Sequence, residues 1–383
     1  MVAMISRTRL FSATLLLFPL LLAACQTLPL NGKLPDNLAA TKIASVDQDS
    51  PFAVAPDGIV VALVDGGLQL FHIPTRQQVP LSASTPRKLA WSPFGNSLAA
   101  LFREGEKSRV ITYDQYGTAI AEAVIAAPLT DIGWLSENEL ALGGQLIKSY
   151  KFGSNFQNVL YRWKPGRDTP VVNNLRNSTL QPATVNKWHA LLARGPLMDF
   201  SSQTPLVSYL QPVEPPLFTP YYKVIVRDLA SGRELEVATV SLSSAGARLS
   251  ADGEKILFGD GKGSTVLRNP WSEEVLGNVS SPGLSPALSA DAGSWFADGA
   301  LFRNGALLTQ LAPAAAAQFT PDGSRLVLQT GGDLYLLTGL KAADGALFVP
   351  ALNEKIQKLR SLRAEGLISP KDYQQALARI TQP

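Results

Sequence analysis

Residues of the types that do chemistry are scarce in this chain: its 383 positions hold one Cys and two His. That count excludes a disulfide scaffold and a Cys/His metal site, leaving Cys25 with the chemistry of a lone thiol. A Ser-His-Asp triad needs a positioned His, yet His72 and His189 lie far apart and neither follows a Gly-x-Ser-x-Gly elbow. Gly259-Asp260-Gly261-Lys262-Gly263-Ser264 has the composition of a phosphate loop. A P-loop, however, puts four residues before Gly-Lys-Ser/Thr and a helix after it, whereas here a β run (Thr265-Val266-Leu267) follows, so a hairpin turn is expected. Ser289-Ala290-Asp291-Ala292-Gly293-Ser294-Trp295 falls one residue short of an Asp-box, itself a structural turn. The recurrent Asp57, Asp252 and Asp322 align within turns, against a paired-carboxylate mechanism. The expectation is therefore no catalytic residue, no metal and no cofactor.

Stepping outward from Cys25, the N-terminus carries Arg7 and Arg9 ahead of an apolar stretch, Leu10 to Leu22. This is the length of a signal peptide and short of the ~20 residues a membrane span needs. Leu22-Ala23-Ala24-Cys25 then resembles the bacterial lipobox, in which a Leu and two small residues precede an invariant Cys. The resemblance implies cleavage between Ala24 and Cys25, a diacylglyceryl group on the thiol and a further fatty acyl chain of the palmitate class on the new amino group. Several chains at ~0.8 kcal/mol per buried CH₂ would make the anchor effectively permanent. Gln26, rather than Asp, after the Cys implies sorting to the outer membrane, lipid-anchored and facing the periplasm. Residues 1–24 are thus read as a signal peptide and 25–40 as a lipidated tether with two prolines. Without Arg7 and Arg9 the formal charge of +3 falls to +1, which gives no footprint for nucleic acid.

The remainder must be a folded body, since 46 % hydrophobic residues argue against disorder, and 30 Gly with 27 Pro against a coiled coil. A turn phrase recurs along it: Val54-Ala55-Pro56-Asp57-Gly58, Trp91-Ser92-Pro93-Phe94-Gly95, weakly Trp134-Leu135-Ser136-Glu137-Asn138, then Leu249-Ser250-Ala251-Asp252-Gly253, Leu288-Ser289-Ala290-Asp291-Ala292 and Phe319-Thr320-Pro321-Asp322-Gly323. Most copies are followed by an apolar β run. Pro presets φ, Asp bonds the backbone ahead, and Gly takes the left-handed position that closes the hairpin. Steps of 37 residues (Gly58 to Gly95), 43 (Gly95 to Asn138) and 70 (Gly253 to Gly323) fit propeller blades of four short strands. The run Leu89-Ala90-Trp91-Ser92-Pro93-Phe94-Gly95-Asn96-Ser97-Leu98-Ala99 resembles the WD40-like repeat of TolB-type periplasmic propellers.

The 115-residue gap from Asn138 to Gly253 must hold more than one blade. A third blade through Tyr161-Arg162-Trp163 is expected, then a fourth lacking the phrase. That fourth blade would start near Val185 to Leu192 and end with strands at 223–228 and 235–237. The reading is an all-β, seven-bladed propeller over 41–348, with residues 41–46 closing the ring as the outer strand of the last blade. A six-bladed ring with a long excursion is the alternative. Residues 196–222, rich in Pro and carrying Phe200, Tyr209, Phe218, Tyr221 and Tyr222, are expected to leave the blade as a loop. Such a loop either recognises a partner or folds over its own blade.

After Pro350 the pattern turns helical and basic. Ile356, Leu359 and Leu362 make one apolar face, Gly366 stops that helix, and Ser369, Pro370 and Asp372 match N-cap, N1 and N3 of a second helix. That second helix carries Tyr373, Leu377 and Ile380 on its apolar face. The run from Leu359 to Ser369 resembles the SHOCT family of C-terminal helical hairpins, which implies a hairpin over 352–381 used in oligomerisation or docking, without catalytic residues. The function expected from all of this is an outer-membrane lipoprotein whose propeller is a non-catalytic, protein-binding scaffold for envelope partners, able to self-associate through its tail. A periplasmic propeller hydrolase or lyase, and a glycan or peptidoglycan binder, are the rivals.

Overall fold

The computed structural model describes residues 34–340 except 48, 151–152, 181–197, 215–220, 242–245, 261, 273 and 281–285, together with Leu359, Ser369, Asp372 and Gln375. Its strands form seven four-stranded antiparallel sheets, the blades of a propeller. The innermost strands are Ala53–Val54, Lys88–Trp91, Leu129–Ser136, Met198–Phe200, Ala247–Leu249, Ala287–Leu288 and Ala316–Phe319, for blades 1 to 7 in chain order. The ring closes as expected: Ala39–Ser45 is the outer strand of blade 7, paired with Asp333–Thr338 and held by Lys42 to Asp333 at 2.8 Å.

Burial explains which residues make which strand. Second strands lie between neighbouring blades and are apolar on both faces, as in Leu98–Phe102 and Ile256–Gly259, which are buried throughout. Outer strands face water and alternate or turn polar, as in Ala119–Ile125 and Gln78–Ser82. The core is therefore distributed over the seams. One cluster joins Leu160 of blade 3, Tyr209 and Val226 of blade 4 and Phe258 of blade 5; another joins Val61 and Phe71 of blade 1 to Val327 and Leu336 of blade 7.

The turn phrase connects the first and second strand of each blade, and its chemistry is visible. Ser92, Ser250, Ser289 and Thr320 each accept the N–H five residues on, at 2.9–3.1 Å. Asp252, Asp291 and Asp322 in turn accept that hydroxyl, and each takes the N–H two residues ahead. Gly58, Gly95, Gly253 and Gly323 sit at φ +66 to +72; blade 6 puts Ala292 there at +54. The phosphate-loop lookalike is a hairpin between Ile256–Gly259 and Ser264–Arg268, with the Asp260 carboxylate accepting the N–H of Lys262 and Ser264.

Blades 3 and 4 correct two expectations. Blade 4 ends in the strands expected, Tyr221–Asp228 and Glu234–Ser241, but begins at Met198–Phe200, and 185–192 lies outside the described residues. Its turn is Phe200-Ser201-Ser202-Gln203-Thr204, a phrase with neither Asp nor Gly. The Pro- and aromatic-rich stretch is accordingly not an excursion: Leu206–Val213 and Tyr221–Asp228 are the second and third strands of the blade. Pro212 pairs with Tyr222 of the third strand, and among the described residues the innermost strand pairs only with Val207 to Tyr209, so no described ladder bond needs a Pro212 N–H on that side.

The long gap is also filled by blade 3, whose other strands run Glu139–Tyr150, Gly153–Trp163 and Val171–Leu180. Its innermost strand ends its pairing at Leu129 with Gly144, while the next two continue in register to Tyr150 with Gly153 and the fourth follows to Leu180. Six residues at ~3.3 Å each make a three-stranded arm about 20 Å long. Topology places the arm on the face opposite the turn phrases.

Candidate functional site

The seven innermost strands surround a central channel with a cavity of about 380 Å³. In blades 4 to 7 the residue just before the turn phrase lines it, as Asp199, Arg248, Ala287 and Gln318, whereas in blades 1 to 3 Phe52, Lys88 and Asp131 line it and Ala53 is buried in the core. Blades 6, 7 and 1 give a wall of small or apolar side chains, including Leu288, Ala317, Phe319 and Phe52, with Gln318 its polar exception; blades 2 to 5 give Lys88, Asp131, Asp199 and Arg248. Gly133 has no side chain because Phe200 of blade 4 lies there, where a Cβ would come within 2.5 Å of the ring.

Polar staples cross the seams around this channel. The indole N–H of Trp91 donates to the Ala53 carbonyl at 3.1 Å, and that of Trp134 to Ala90 at 3.0 Å. Asp131 accepts the Met198 N–H at 3.3 Å and the Thr130 hydroxyl at 2.8 Å. Asp199 accepts the Leu249 N–H at 2.7 Å and pairs with Arg248 at 3.4 Å. Gln318 accepts the Val54 N–H at 3.0 Å across the closing seam. Both channel carboxylates therefore bind the backbone of the next blade.

Burial dominates the electrostatics. It pushes the Asp199 carboxyl above its ordinary value, against the opposing pull of Arg248 and the N–H groups of Leu249 and Phe200. It likewise lowers the Lys88 ammonium, ahead of the attraction of Asp131 and Asp199 and the repulsion of Arg248 and Arg87. Arg87 is lowered by burial too, with Asp131 opposing.

The residues singled out from sequence fall elsewhere. Ala24, Cys25, Phe218, Ile356, Leu362, Tyr373, Leu377 and Ile380 lie outside the described residues, as does His189. Of the tail, Leu359, Asp372 and Gln375 have helical backbone, and the Asp372 N–H donates to the Ser369 hydroxyl at 3.2 Å, the bond an N-cap makes to N3. The hairpin as a unit lies outside the described residues. His72 is half-buried at a strand end, its Nδ1 2.7 Å from the Thr75 hydroxyl.

Of the aromatics assigned to a recognition loop, Phe200 lines the channel and Tyr221 is half-buried, whereas Tyr209 and Tyr222 are each 1 % exposed. The Tyr209 hydroxyl donates to Glu234 at 2.7 Å, and Glu234 also takes Arg227 and, from blade 3, Arg176. An aromatic whose ring and hydroxyl are both spent inside a seam is a core residue. Sequence reasoning missed Lys88, Asp131, Asp199, Arg248 and Gln318. For Asp199, Arg248 and Gln318 the signal was available, because aligning the phrases puts them, with Ala287, at the one position that lines the channel in blades 4 to 7.

Among the described residues no three His, Cys, Asp or Glu side chains gather as metal ligands would, and no helix is long and apolar enough to cross a membrane. No family model matches the chain, and no curated protein matches it. Solved structures do. The β-propeller domain of Myceliophteria thermophila Cps50 (Swd1) superimposes with a TM-score of 0.55 at 14 % identity, covering 78 % of this chain and 99 % of that one. The RRP9 WD40 repeats give 0.54 at 11 % identity, with 82 % and 99 % covered. Kuenenia stuttgartiensis hydrazine synthase gives 0.52 at 12 % identity, with 82 % and 98 % covered. At these identities the likeness is one of fold: the chain is a WD40-like, seven-bladed β-propeller.

Proposed function

We propose that this chain is a lipid-anchored outer-membrane protein whose propeller is a non-catalytic scaffold for protein partners in the cell envelope. The observation that carries the scaffold reading is the arm of blade 3. Beyond Gly144 the innermost strand no longer covers it, so it offers a three-stranded ribbon on one face of a rigid ring. A strand edge presented on a rigid support suits recognition by β-augmentation. The WD40-like fold is compatible with this use, and Cps50 and RRP9 share that fold. Against catalysis, Asp131 and Asp199 are each bound to the backbone of the next blade, which is the work of a structural staple. The anchor rests on Leu22-Ala23-Ala24-Cys25.

The test places a photo-crosslinking residue at Asn155 or Gln157 on the arm and at Glu254 on the turn face, in intact cells. A discrete adduct from the arm and none from Glu254 is expected; equal yields at both faces, or none, would overturn the scaffold reading. The anchor is tested separately. Cys25→Ser is expected to abolish fatty-acid labelling and release the protein from membranes, and unchanged labelling would sink it.

A further inference from the structure

We infer that the central channel binds a small organic carboxylate, its head held by Lys88 and Arg248 and its apolar body set against Phe52, Leu288 and Phe319. The inference is independent of the scaffold reading, which concerns the outer surface.

Three observations on different strands converge. The first is charge: Lys88 and Arg248 face Asp131 and Asp199 across the channel, and Arg87, outside the lining but within electrostatic range of Lys88 and Asp131, brings the local count to three cations against two carboxylates. The second is the state of the donors. Asp199 is committed to Arg248 and Leu249, and Asp131 to Thr130 and Met198, but among the described residues Lys88 has no hydrogen-bond or ion-pair partner. Arg248 spends Nε on the Pro286 carbonyl and Nη1 on Asp199, leaving Nη2 for a ligand. An enclosed ammonium without a partner is costly, and a bound anion would offset that cost. The third is shape. The cavity of about 380 Å³ lies within the range of small-molecule sites, and its walls are divided between a charged side, blades 2 to 5, and a side formed by blades 6, 7 and 1 that is apolar but for Gln318, whose Oε1 accepts the Val54 N–H. An inorganic oxyanion would satisfy the first wall and leave the second wet; a neutral apolar molecule would do the reverse. A carboxylate with an apolar body satisfies both.

The depressed basicity of Lys88 fits this and supplies a readout. Arg87 on its own strand, Asp131 on blade 3, Asp199 on blade 4 and Arg248 on blade 5 are the charged groups that act on it. An anion at the ammonium raises its affinity for a proton, so binding takes up protons where the free Lys88 has begun to deprotonate. Affinity therefore falls as pH rises through a value below the ordinary lysine range.

The experiment is calorimetric titration of the detergent-solubilised full chain at fixed ionic strength with benzoate, benzyl alcohol, acetate and inorganic phosphate. Saturable one-to-one binding of benzoate is expected, tighter than acetate or phosphate, with benzyl alcohol failing to bind. Lys88→Met should weaken benzoate roughly tenfold or more, the worth of one charge-assisted hydrogen bond, and Lys88→Arg should largely retain it. No saturable benzoate binding, equal binding of benzyl alcohol, tighter phosphate than benzoate, or full affinity in a folded Lys88→Met protein would each overturn the inference. Should Lys88→Met fail to fold, the ranking of the four probes on the wild-type chain decides it alone.

Discussion

Blades 5, 6 and 7 close their turns with their own side chains, whereas the turns of blades 2 and 4, and the seam of blade 4 with blade 3, rely on groups from neighbouring blades. In the first set, Ser250 with Asp252, Ser289 with Asp291 and Thr320 with Asp322 complete each turn within a few residues. In the second set, Glu137 of blade 3 reaches into blade 2, accepting from the Ser92 hydroxyl, the Phe94 N–H and the Asn96 amide, each at 2.8 Å. Ser201 of blade 4 bonds Thr204 and the Ala251 carbonyl of blade 5. Glu234 ties Tyr209 and Arg227 to Arg176 of blade 3. Local closure writes a repeat into the sequence; closure through neighbours leaves single polar residues with no periodicity to betray them. The second kind should also be the more damaging to break, because each network joins two blades.

The largest effect is expected at Tyr209. Its ring lies in the cluster shared by blades 3, 4 and 5, so Tyr209→Ser should cost about 3–5 kcal/mol, the range for removing a core aromatic. Chemical denaturation measures it. A loss within about 0.5 kcal/mol, typical of surface sites, would return Tyr209 to the surface and undo the contrast between the two sets of blades.

Asp199 comes next. Asp199→Ala removes the acceptor for Leu249 and leaves Arg248 facing the channel without its carboxylate, a change worth about 3 kcal/mol for a buried pair and less where channel water reaches it. Asp252→Ala in blade 5 loses only bonds inside one turn and should cost about 1 kcal/mol. Equal losses would show that turn closure and seam stapling are energetically alike.

The seam between blades 3 and 4 should also respond to acid. Burial acts to raise the Glu234 carboxyl, but the bonds from Tyr209 and Arg176, the charge of Arg176 and the bond from Arg227 together hold it below its ordinary value. A depressed folded-state value contributes stability that is present above the unfolded value and is lost as pH falls through the folded one. Melting temperature followed from about pH 6 to about pH 3, across the carboxylate range, should fall less steeply in Glu234→Gln than in the wild-type chain. Parallel curves would remove Glu234 from the account.

The same contrast explains how far the sequence could be read. Seven blades, the closing strand at 41–46 and the structural role of Asp57, Asp252 and Asp322 were legible because hydroxyl, carboxylate and Gly act within one turn. The start of blade 4 was not, since Phe200-Ser201-Ser202-Gln203-Thr204 keeps the Ser but lacks Asp and Gly. Proline count then misled: Pro212 reads as a strand breaker, yet in the second strand of the blade it pairs with Tyr222, away from the described pairings of the innermost strand. Lys88 and Asp131 were missed for a related reason. They sit three residues before their phrases, where no other blade carries a matching charge.

The smallest effect tests the regular blades from within. Ala292 occupies the left-handed position that glycine fills in blades 1, 2, 5 and 7, with φ at +54. An L side chain there costs roughly 1–2 kcal/mol relative to glycine, partly offset by the lost burial of one methyl and by the greater freedom of glycine in the unfolded chain. Ala292→Gly should therefore stabilise the ring by about 1 kcal/mol or less, seen as a small rise in melting temperature. The mirror change, Gly323→Ala, has φ at +67 and brings a Cβ within 3.2 Å of the Ser289 Cβ, so it should lose at least as much as the first gains. Opposite signs at these two positions would show that the phrase acts through backbone conformation in each blade separately. A loss in Ala292→Gly would mean that its methyl group, 5 % exposed among the residues of blades 5 and 6, matters more than the strain it causes.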